Sequence, residues 1–99
     1  MLPGSLDDLI AQRIEHYREM LEQGQNPVTT EKFHIAIHAL ANTPRQIGKL
    51  QNALLNKKME HANTTIAMGT GMVPPSWAHS LLIEIEEYEW LLAQLHRKL

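Results

Sequence analysis

One pattern constrains this chain more than any other. From Ala78 to Leu99 apolar residues recur in alternating steps of three and four, at Ala78, Leu81, Ile85, Tyr88, Leu92, Leu95 and Leu99. That spacing winds a single apolar seam along a helix and cannot serve a strand, whose faces alternate every second residue. Leu82 and Leu91 widen the seam to a bundle-type face, and Ser76 is placed to cap its start.

The rest of the chain repeats the helical period between clear breaks. Leu6, Ile10, Ile14, Tyr17 and Leu21 form a stripe that Ser5 can cap and Gly24 can close, predicting a helix over 6–23. After Gln25-Asn26-Pro27-Val28, with Thr29 or Thr30 as cap, a short helix is expected over 31–41. Its face carries Phe33, Ala36, Ile37, Leu40 and Ala41, with Ile35 turned away. Thr43 and Pro44 suit the N-cap and N1 positions of a third helix over 44–66. Its apolar residues are Ile47, Leu50 and Leu54, then Leu55, Met59, Ala62 and Ile66, so the stripe drifts by one residue midway. The run from Gly69 to Pro75 reads as the longest connection, and the fourth helix covers 77–98. No alternating run signals a strand. The expectation is an all-α, compact bundle of four helices, three long and one short, in a single domain over 1–99.

Composition narrows the function. A chain of 99 residues has room for one core, and the absence of cysteine removes disulfides, thiolate metal sites and cysteine nucleophiles. No apolar run approaches the ~20 residues of a membrane span, and the start lacks the basic and apolar regions of a signal peptide. A cytoplasmic protein is expected.

Charge segregates by helix although the net value is only −2. The first helix holds Asp7, Asp8, Glu15, Glu19 and Glu22, the fourth holds Glu84, Glu86, Glu87 and Glu89, and the third holds Arg45, Lys49, Lys57 and Lys58. A basic helix seated against acidic ones accounts for this; so does a strip for an anionic partner.

Three long helices and one short one leave apolar surface uncovered, so oligomerisation is expected to complete the bundle. Ile83 and Trp90, seven apart, fall opposite the heptad seam of the fourth helix. With Glu86 and Glu87 beside them, they form the expected partner or self-association surface, a homodimer being the simplest assembly. The leading reading is a non-enzymatic adaptor, regulator or inhibitor that docks helix faces, with a protein partner, no cofactor and no small-molecule substrate.

Two alternatives come from other classes. Residues 31–58 can be read as a helix-turn-helix-like DNA-binding unit, with Arg45, Gln46, Lys49 and Asn52 on the exposed side of a reading helix. Among the six histidines, His34 and His38 stand one turn apart with Glu31 behind them, a weak candidate for a metal-binding bundle. Catalysis has poorer footing. Ser80 and His79 are neighbours and point apart, and Gly69-Thr70-Gly71 lacks the lysine of a phosphate loop.

Overall fold

Asn26 shows how local chemistry sets the helix ends. Its side-chain oxygen accepts from the Thr29 amide at 3.0 Å, and Pro27 takes the first helical position, where a missing N–H costs nothing. The second helix therefore begins four residues earlier than the periodicity predicts, because a cap acts through hydrogen bonds rather than through an apolar stripe. A computed structural model of the chain describes residues 6–24, 26–71 and 75–97. They form α1 (Leu6–Glu22), α2 (Pro27–Ala41), α3 (Ile47–Gly69) and α4 (Pro75–Arg97), an all-α bundle with no strand among the described residues.

The remaining ends follow the same logic. Gly24 adopts φ 75°, and its amide reaches the Leu21 carbonyl, as a residue closing a helix requires. Thr43 does not cap α3. It is buried and donates from Oγ1 to the Ala39 carbonyl at 2.8 Å, tying off α2 instead, so α3 starts at Ile47 behind Gln46, which makes no side-chain cap. The far end of α3 continues through Thr64 and Thr65 to Gly69, and Gly71 turns the chain at φ 76°. Ser76 lies within the first turn of α4, since Pro75 begins that helix. The expected caps and seam positions at Ser5 and Leu99 lie outside the described residues.

α4 is the centre of the packing. α1 and α2 pack on each other and both on α4, while α3 packs substantially on α4 alone. Leu9, Ile10, Leu40, Leu50 and Leu91 are among the side chains of the continuous core. Wedged between α1 and α4, α2 is buried on more than one side, and even Ile35 packs against the core rather than turning away. α3 sits at the outer edge of a molecule whose extents are 50 × 36 × 19 Å. Of its residues only Leu50 is buried, with Ala53 and Leu54 packed beside it. No helix among the described residues is long and apolar enough to cross a membrane.

Candidate interaction surface

The surface expected on α4 is not there. Ile83 is 2% exposed and lies in the core, and Glu87 is buried as well. Trp90 is half-buried, with the Arg13 guanidinium over its ring at 4.4 Å. Glu86 alone of that set is exposed. The physical reason is the central position of α4: its heptad seam meets α3 through residues such as Tyr88, and the side opposite meets α1 and α2. A helix with neighbours on both flanks buries two stripes, so Ile83 and Trp90 answer to the interior.

That buried side carries a polar cluster. Arg13 Nε donates to Glu87 Oε1 at 2.9 Å, and the Tyr17 hydroxyl donates to Glu87 Oε2. The guanidinium also lies 4.8 Å from the Tyr17 ring centre, and that ring packs on Phe33 at 5.3 Å. Burial, and then the bond to the Glu87 carboxylate, push the Tyr17 hydroxyl well above the usual tyrosine range. For Arg13, burial works against the charged form, but the hydrogen bond and charge of Glu87 outweigh it and raise its pKa. Each carboxylate oxygen has a donor, and the cluster lines none of the grooves described below. It sets the register of α1 on α4. Sequence reading missed it, because the only local sign is Arg13 and Tyr17 at i and i+4.

The basic residues on α3 and just before it are largely engaged within the chain. Lys57 reaches Glu84 at 2.7 Å and Lys58 reaches Glu89 at 3.8 Å, both on α4, and Arg45 reaches Asp7 of α1 at 3.3 Å. Burial opposes the charge of Lys57, while its bond to Glu84 and that carboxylate's charge raise its pKa above the ordinary lysine value. Gln46, Lys49 and Asn52 are exposed, as is Arg45. The helix-turn-helix arrangement also needs its two helices packed on each other, and here α2 and α3 both lean on α4. His34 and His38 are exposed, and His38 lies 3.4 Å from the Asn42 amide nitrogen. Among the described residues no group of three or more histidines and carboxylates is placed to hold a metal.

Val28 of α2 and Leu82 of α4 are exposed singly, but the row of apolar residues left open lies on α3. Leu55, Met59 and Ile66 are 58%, 59% and 69% exposed, and Ala62 between them is exposed too. Their steps of four, three and four put them on one face, turned away from α4. The drift at Leu54-Leu55 is thus a change of face: Leu50, Ala53 and Leu54 pack with the core, and the later residues of the stripe are open to water among the described residues. Trp77, 58% exposed at the start of α4, borders the same region. With Asn56, Met59, Asn63 and Ala67 it lines an open groove of about 480 Å³ along one edge of the stripe. The signal for this face was already in the sequence, since Leu55, Met59, Ala62 and Ile66 keep heptad spacing. No protein family, curated protein or solved structure matches this chain, so its function is read from this surface.

Proposed function

We propose that this protein is a small non-enzymatic interaction protein that docks helix faces and associates with itself through the outer face of α3. The observation that carries the reading is the row Leu55, Met59, Ala62 and Ile66, apolar, in heptad register and open to water. Apolar patches of this kind mark interaction sites, and full burial of each large side chain is worth about 1.5–3 kcal/mol. Steps of four, three and four fit knobs-into-holes packing with another helix. A cytoplasmic setting goes with this reading, supported by the lack of cysteine among the 99 residues.

Sedimentation equilibrium over a wide concentration range tests it. The wild-type chain is expected to exceed its monomer mass of 11.3 kDa as concentration rises. Leu55→Glu is expected to remain monomeric with unchanged helicity by circular dichroism. A wild-type protein that stays monomeric throughout, or a variant that associates as well as wild type, overturns the proposal.

A further inference from the structure

We infer that α3 beyond Lys57 and α4 before Ile83 form a hinged arm, which opens and closes as one unit while the rest of the bundle stays folded. The inference goes beyond the docking reading and stands on packing alone.

The core ends where the arm begins. In α3 no described residue after Leu54 belongs to the core, and in α4 none before Ile83 does. The stripe on which α4 carries Ile83, Glu87 and Trp90 stops at the same level. One heptad before Ile83 and Glu87 stand Ser76 and Ser80, the first exposed and the second partly so. Of residues 58–69 and 76–82, Ala78 alone is buried. The seam between the two segments is thin: His61, Thr64, Met68, Ser80 and Leu81 are each partly exposed. Glu60, Thr64, Ser80 and Leu81 line a groove of about 360 Å³, where a close-packed hairpin would hold apolar side chains.

The segments have little helical stability of their own. Thr65 turns its hydroxyl onto the His61 carbonyl at 2.9 Å, a back-bond that weakens a helix, and Asn63, Thr64 and Gly69 are poor helix formers. Stretches this short are marginal as lone helices in water, so neither holds without the other and they open together.

A clasp marks the hinge. Lys57 Nζ reaches Glu84 at 2.7 Å and lies 5.6 Å from the ring centre of Tyr88, a core residue, and Lys58 reaches Glu89 at 3.8 Å. Farther out, the described residues hold no ion pair or side-chain hydrogen bond between α3 and α4. Opening changes what the protein presents. Met59, Ala62 and Ile66 lie in the arm and share one face only while it is helical, whereas Leu55 lies on the core side of the hinge. A partner that takes the row as a helix face therefore holds the arm closed, by shifting the population toward that form.

Hydrogen exchange read by mass spectrometry, resolved to single amides at dilutions where the chain is monomeric, tests this. Amides from His61 to Gly69 and from Ser80 to Leu82 are expected to share one protection, at least about 100-fold below that of Leu91 in the core. Ile10→Val trims a buried side chain of α1, and is expected to lower protection at Leu91 about 3- to 10-fold. The same variant leaves the arm's protection unchanged, because the arm opens without the core unfolding. One protection shared by arm and core, or an arm that falls with the core in Ile10→Val, means a single cooperative unit and overturns the inference. Protection that decays steadily from Lys57 to Gly69 means fraying from the helix end and overturns it too, as does an arm with no protection at all. Each outcome is independent of the sedimentation result that decides self-association.

Discussion

Arg13 on α1 and Glu87 on α4 lie 74 positions apart in the chain and meet at 2.9 Å, with Glu87 nearly closed to solvent. A carboxylate in that position is stable only while its donors stay with it, because removing a charge from water costs several kcal/mol per ion unless partners replace the hydration. Tyr17 supplies the second donor, and Arg13 lies between the Tyr17 and Trp90 rings. One buried acid therefore determines how α1 sits on the central helix.

Replacing Arg13 by alanine leaves Glu87 buried with the Tyr17 hydroxyl as its remaining donor. The expected loss is about 3–5 kcal/mol of folding stability, the usual result of stranding one member of a buried ion pair. Removing both charges, by Arg13→Met with Glu87→Leu, should recover most of it. Urea denaturation of the two variants measures the difference. A double variant no more stable than Arg13→Ala contradicts the assignment.

Tyr17 adds an alkaline signature. Its proton is held more tightly in the folded chain than in the unfolded one, where the reference value is 10.0. Above that pH the unfolded chain has released the proton and the folded chain has not. Stability from this source is therefore complete below about pH 10 and declines as pH rises toward the higher folded value. Lys57, also raised, acts in the same direction from its own reference of 10.5. Tyr17→Phe should cost about 1–3 kcal/mol at neutral pH by removing a donor from a buried carboxylate. It should also flatten part of the alkaline decline, leaving the share due to Lys57. Thermal midpoints at neutral and alkaline pH check both, and an unchanged alkaline slope counts against the mechanism.

The two faces of α3 should respond differently to the same change. Leu50→Ala removes a fully buried side chain and should cost about 2–5 kcal/mol. Leu55→Ala, five residues on and mostly exposed, should alter monomer stability by no more than about 0.5 kcal/mol, measured at dilutions where the chain is monomeric. Equal losses at the two positions mean that Leu55 is covered within its own chain.

Much of this architecture was legible because helix formation is a matter of near neighbours. The steps of three and four that mark α1 and α4, the glycine at position 24 and the breaks between segments all act within a few residues. Helix ends shifted where a hydrogen bond outweighed the pattern. Asn26 opened α2 early, and Thr43 turned back to Ala39 rather than forward to α3. The anionic-partner reading of the basic helix met a similar limit, because Lys57 and Lys58 find Glu84 and Glu89 only once α3 and α4 lie together.

By itself, then, the sequence determined that the chain is helical, roughly where its helices run, and that their apolar surface exceeds what a few short contacts can cover. Which surface stays open was decided only in three dimensions. The helical period sets Ile83 opposite the seam of its helix and Leu55 on the apolar stripe of its own, yet Ile83 is in the core and Leu55 is in water. The difference arises because α4 packs against α1 and α2 as well as α3, whereas among the described residues α3 packs substantially on α4 alone. Periodicity states that a stripe is apolar. Burial depends on which distant segment reaches it, and that is settled by the packing of the whole chain.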